Sequence, residues 1–166
     1  MNKQQAADLI GLAGVCIVLS VAFYCQWVLH ELPCASYKLQ RIAFMTFGAG
    51  LLLNLWSGHH PFNYFLSAAG AMVGGLVALL KMFTYVLPAT LAAGATFFGL
   101  HAYTVSYMLF MAAVLYCVVQ LSVGTPWPLP PAKGRVSKHS ATQWAVAMLF
   151  SLLVAGNLLS AFLDRG

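Results

Sequence analysis

The chain reads as a succession of long apolar stretches cut by short polar or proline-bearing breaks. The stretches are too long and too evenly apolar for barrel strands, which would alternate. Each approaches the roughly 20 residues that cross a hydrocarbon layer about 30 Å thick. Five spans are predicted. Span one covers residues 9–29, between Asp8 and the pair His30-Glu31, and span two covers 39–56, ending in the loop Ser57-Gly58-His59-His60-Pro61. Span three covers 62–80 and is followed by Lys81; Pro88 and Gly94 then mark a non-helical stretch before span four, 97–121. The segment 124–134 carries four prolines, which remove backbone donors and fix φ, so no helix continues through it. Span five covers 141–163.

Composition sets the solvent. The chain is 61% apolar and 7% charged over 166 residues, with a mean hydropathy of +0.84. A soluble domain of this size cannot hide that much apolar surface, so most of it faces lipid. Backbone groups in lipid pair internally, which selects helices over open strands. The expectation is an all-α integral membrane protein built as one membrane domain, 1–166. Span one is longer than an ordinary signal h-region, and Cys25-Gln26-Trp27 is a poor small-residue cleavage site, so this segment is read as retained.

Charge orients the chain weakly. With the N-terminus inside, Lys3, Lys133, Arg135 and Lys138 lie inside, and Lys38, Arg41, Lys81 and Arg165 lie outside. The cluster at 133–138 favours N-in, because Arg41 and Lys81 sit at helix ends and can snorkel. The net charge of +5 belongs to these flanking residues; no basic patch with interleaved aromatics points to nucleic acid.

Candidate chemistry is sparse. Cys16, Cys25 and Cys117 fall inside spans, where a thiol serves as a small apolar filler. Cys34 differs, since it lies in a loop beside Pro33, and is either a relic or a nucleophile. His59-His60 reads as a polar turn at the membrane surface rather than a metal site, because adjacent residues rarely converge on an ion without further ligands. His101, near the head of span four, either packs or faces a cofactor. Gly70-x-x-x-Gly74 with Gly75 forms a small-residue face that suits packing of one span on another. There is no Walker loop, dinucleotide fingerprint or Ser-His-Asp arrangement.

Four stretches together carry a family resemblance. They are Leu32-Pro33-Cys34 followed by Leu39-Gln40-Arg41-Ile42-Ala43-Phe44; Leu52-Leu53-Asn54-Leu55 with Gly58, Pro61 and Tyr64; Gly99-Leu100-His101-Ala102-Tyr103-Thr104; and Gly156-Asn157-Leu158-Leu159-Ser160-Ala161-Phe162-Leu163. In order, and over nearly the whole chain, they resemble the DsbB family of disulfide-bond-formation proteins of the bacterial inner membrane. The resemblance implies a four-helix bundle with a fifth C-terminal span. It also implies that a periplasmic thioredoxin-like protein hands electrons to a Cys-x-x-Cys pair, which passes them to bound ubiquinone. Carried over by residue, that pair falls on Cys34 and Tyr37, and the arginine beside the quinone ring falls on Arg41.

Two departures bear on the implied activity. Tyr37 occupies the position of the second cysteine, and no second redox pair is found between spans three and four or after span five. Thiol–disulfide exchange needs a second thiol to resolve the mixed disulfide. Two functions therefore remain open. One is a redox-degenerate family member, a pseudoenzyme acting as a structural or quinone-binding subunit among membrane-protein partners, with Tyr37, Arg41 and His101 as cofactor-binding candidates. The other is a working oxidoreductase in which Cys34 borrows a thiol from a partner and passes electrons to ubiquinone.

Overall fold

The computed structural model describes residues 3–28, 35–86, 96–97, 100–124 and 140–163. Among the described residues there are five helices: α1 (Lys3–Val28), α2 (Ala35–Ser57), α3 (Pro61–Val86), α4 (Ala102–Gly124) and α5 (Ala141–Leu163). A minimal antiparallel hairpin, β1 (Thr96–Phe97) with β2 (Leu100–His101), precedes α4, with Thr96 opposite His101. Local signals explain the breaks. Gly58 takes a positive φ of 88° just past the end of α2, where the left-handed conformation closes a helix at little steric cost. Pro61 opens α3, at the position where its missing N–H is harmless. The Gln143 side chain accepts a hydrogen bond from the Ser140 backbone N–H at 2.9 Å, capping α5.

The helices are longer than the charge pattern implies. α1 begins at Lys3 and carries Asp8 within it, α2 begins four residues before Leu39, and α3 continues past Lys81 to Val86. A lone charge does not end a helix; lysine is a good helix former. The start of span four is corrected in the other direction. Phe97 and His101 belong to the hairpin, and α4 starts at Ala102 and ends at Gly124. Over a short apolar run, periodicity cannot separate strand from helix. Cys34, His30, Glu31, Pro88, Gly94 and the basic cluster at 133–138 lie outside the described residues.

Four of the helices, α1, α3, α4 and α5, are long and apolar enough to cross a membrane, which makes this a multi-pass membrane protein. Their outward faces are apolar, with Ile10, Leu80 and Leu152 each about two-thirds exposed or more (72%, 66% and 71%). In water that surface would be unstable; against lipid chains it is matched. α2 differs in carrying Lys38, Gln40, Arg41 and Asn54. Gln40, Arg41 and Asn54 are buried, for α2 lies among α1, α3 and α5.

The core forms where these helices meet. Phe44 of α2 stacks on Phe110 of α4 with ring centroids 4.0 Å apart, above fully buried Leu12, Leu19 and Leu51. The small-residue stripe of α3 is occupied by the same chain. A Cβ at Gly70 would come within 2.9 Å of Thr46 Cβ, and one at Gly74 would strike the Phe110 ring and approach Ala43 Cβ at 2.7 Å. The closest crossing is at Gly50 of α2. A Cβ there would collide with Ser67 Oγ and stand 2.6 Å from the Asn63 carbonyl oxygen. Ser67 Oγ in turn donates to the Phe47 carbonyl at 3.0 Å, fastening α3 to α2 where they run closest.

Candidate functional site

Polar side chains inside the bundle gather at its two ends. At the end where α2 begins, Arg41 lies six residues into the helix, about 9 Å along its axis. The sequence places it as a snorkelling residue, but it is only 8% exposed and turns inward. Its guanidinium donates to the Ala22 carbonyl of α1 at 2.6 Å, to Gln26 Oε1 of α1, and to Asn157 Oδ1 of α5 at 3.5 Å. Gln26 Nε2 donates to Ser160 Oγ at 2.8 Å, and Asn157 Nδ2 to the Leu153 carbonyl at 2.8 Å. A cation in hydrocarbon is expensive, by about 2.5–3.5 kcal/mol on insertion scales. Here it is met by oxygen acceptors from two other helices, so α1, α2 and α5 are joined through one side chain.

Beside Arg41 the bundle is not filled. A cleft of about 270 Å³ runs between α1, α2 and α4, lined among others by Ala22, Cys25, Tyr37, Arg41, Val105 and Ser106. The walls are otherwise mostly apolar, with Ile17, Val18, Phe44 and Leu109 completing them. The Tyr37 ring centroid is 5.9 Å from the guanidinium carbon, within cation–π range. The arrangement offers a mostly apolar cleft with a fixed positive charge on one wall. Such a charge stabilises negative charge developing on a carbonyl oxygen held against it. A wider groove of about 770 Å³ between α2 and α5 is lined mainly by apolar residues such as Leu52, Trp56 and Trp144, and suits lipid chains.

Tyr37 and Arg41, both cofactor-binding candidates in the sequence reading, meet at one cleft. His101 does not join them there. It closes the hairpin, its ring stacks on Tyr103 at 5.1 Å, and its neighbour Ala102 lines the cleft instead. Cys34 lies outside the described residues. Cys25, read as filler, is buried and borders the cleft. Among the described residues no group of three or more His, Cys, Asp or Glu side chains is arranged to hold a metal.

The opposite end holds a site that the sequence reading missed. Asp8, taken there as the edge of a span, is completely buried. Tyr64 of α3 donates to its two carboxylate oxygens at 3.1 and 3.0 Å, and Tyr116 of α4 donates to Oδ1 at 2.5 Å. Gln120, one turn on from Tyr116, donates to the Tyr116 hydroxyl at 2.9 Å. His59, in the α2–α3 connection, brings Nε2 to 3.2 Å from Asp8 Oδ2, close enough for an ion pair but not aligned as a hydrogen bond. Along α1, Asp8 is 14 residues from Ala22, about 21 Å, so Asp8 and Arg41 do not neutralise each other. The signal available in sequence was the acid itself, one of three in the chain, next to an apolar run.

Compared with protein-family models, with curated proteins and with solved structures, the chain matches none.

Proposed function

We propose that this chain is a redox-degenerate relative of the DsbB family that holds a quinone in the Arg41 cleft, as a structural or quinone-binding subunit of a larger membrane assembly. On this reading α2 is the fifth crossing, its polar groups turned toward protein, and the N-terminus lies on the cytoplasmic side of a bacterial inner membrane. The observation that carries the proposal is the coincidence of three things at one place. Arg41 and Tyr37 both border a cleft, the cleft is mostly apolar on its remaining walls, apart from Gln40 and Ser106, and its 270 Å³ is close to the lower range of small-ligand pockets, about 300 Å³. A quinone head group is flat, apolar on its faces and bears carbonyl oxygens at its edge, so a guanidinium on one wall and an aromatic ring beside it fit its chemistry. When bound, a quinone supplies an acceptor for electrons. The chain's own residues bind and orient it: Arg41 holds an oxygen, Tyr37 flanks it, and the apolar walls exclude water.

Degeneracy follows from Tyr37. A phenol cannot form the disulfide that a cysteine would form with Cys34. Purified protein, supplied with a reduced periplasmic dithiol carrier and ubiquinone, is therefore expected to show no sustained oxidation of the dithiol. Multiple turnovers by the isolated protein would overturn the degenerate reading and favour an active oxidoreductase that recruits another thiol.

A further inference from the structure

The Asp8 cluster lies at the far end of the bundle from the Arg41 cleft and plays no part in the function proposed above. An ionised carboxylate in a membrane bundle is a costly choice where an apolar side chain would pack, since replacing buried ionic groups with apolar ones is often neutral or stabilising. Asp8 is nevertheless fully buried, and the groups that meet it come from three separate segments. Tyr64 faces it from α3, Tyr116 from α4 with Gln120 behind, and His59 from the α2–α3 connection. Cys117 of α4 is within electrostatic range of the same carboxylate. The phenols and the amide are turned as donors, and this leaves their oxygens poorly placed to hold a metal cation. Among the described residues the two phenols converge on the Asp8 carboxyl group, with the Gln120 amide behind Tyr116.

His59 supplies what the other partners lack, an imidazole, which can carry a proton on either ring nitrogen. Its side chain is 15% exposed while Asp8 has no exposure, so His59 spans the step from the surface to the buried acid. Asn54, fully buried on α2, accepts the His60 backbone N–H at 3.3 Å through Oδ1, while its Nδ2 has no hydrogen-bond acceptor among the described residues.

We propose that Asp8 is a proton-binding site inside the bundle, loaded and emptied through His59 from the membrane surface at the end where α1 begins. In the loading step the His59 ring, whose Nε2 stands 3.2 Å from Oδ2, turns to aim Nε2–H at that oxygen; the Nε2–H bond of protonated His59 then breaks and an Oδ2–H bond forms on Asp8. The imidazolium becomes neutral and the carboxylate becomes a carboxylic acid. His59 then takes a proton from hydronium at the surface, leaving water. With the proton on Oδ2, Oδ1 still accepts from Tyr64 and Tyr116, while the second bond from Tyr64, to Oδ2, is lost, so the join between α1 and α3 changes with the proton.

Infrared difference spectroscopy of the reconstituted full chain after a downward pH jump tests this directly. The expected result is a protonated-carboxyl C=O band in the wild type that shifts on labelling with 13C-carboxyl aspartate and persists in Asp164→Asn. That pairing assigns the band to Asp8 without altering it. In His59→Gln the band is expected to rise about 10²-fold more slowly, the loss typical when a positioned proton-transfer group is removed. Asp8→Asn should lack the band. If labelled wild type and Asp164→Asn show no aspartic acid band at any pH at which the protein stays folded, Asp8 remains ionised and is a structural anchor. If the band rises equally fast in His59→Gln, the route through His59 is wrong.

Discussion

Gly50→Val is expected to abolish folded protein, with a loss of more than about 3 kcal/mol, above the usual range for overpacking. The reason is local. The space beside Gly50 is held by Ser67 Oγ and by the Asn63 carbonyl, and the second of these is backbone that cannot rotate away. Relieving the collision means separating α2 from α3, which breaks the bond from Ser67 to the Phe47 carbonyl and opens the seam beneath Phe44 and Phe110. Gly14 of α1 is the matched control, because a Cβ there meets nothing within 4 Å. Gly14→Ala is expected to be neutral or to stabilise by up to about 1 kcal/mol through helix propensity. Unfolding of both variants in detergent, followed by circular dichroism, checks the pair. Equal stability of Gly50→Val and wild type would show that the α2–α3 seam is looser than described.

Arg41→Met is expected to lose bound quinone and also about 1–3 kcal/mol of stability, the cost of leaving buried acceptors without their donor. The two losses have different origins. Stability falls because Gln26, Asn157 and the Ala22 carbonyl lose the donor that joins three helices. Quinone falls because the cleft loses its positive wall. Asn157→Leu separates them. It removes an α5 partner of Arg41 but no residue of the cleft, so it is expected to lower stability while quinone per folded molecule stays at the wild-type level. Quinone extracted from the folded fraction of each variant, set beside its unfolding midpoint, reads both effects. If Asn157→Leu and Arg41→Met lose quinone in parallel, Arg41 acts on quinone only through the fold.

Much of this architecture was legible because lipid imposes simple rules. Span five, 141–163, coincides with α5, and the apolar lengths of α1, α3 and α4 mark them as membrane helices. Charged residues were where the sequence misled. Asp8 was taken as a boundary and Arg41 as an interfacial anchor, since an ionisable residue in a hydrophobic run is by default pushed to its edge. What overrides that default is tertiary. Asp8 is met by Tyr64 and Tyr116, which are 56 and 108 residues away, and Arg41 by Asn157, 116 residues away. No local window contains such partners. The hairpin at 96–101 was missed for the opposite reason: its two strands of two residues are too short to carry any period. Tyr37 and Arg41 were named only through the family resemblance; they share a cleft because four residues is about one helical turn, which puts both on one face of α2.

The central claim, that the cleft between α1, α2 and α4 holds a quinone, is tested most directly by filling it. Ser106 and Val105 line the α4 wall and make no bond to Arg41, so Ser106→Phe occupies the slot and leaves the Gln26–Arg41–Asn157 network in place. The measurement is quinone extracted per mole of folded protein, purified from membranes, for wild type and Ser106→Phe side by side. The account predicts near one quinone per chain in the wild type and a drop of at least tenfold in Ser106→Phe. Equal quinone in both, or none in the wild type, would contradict it.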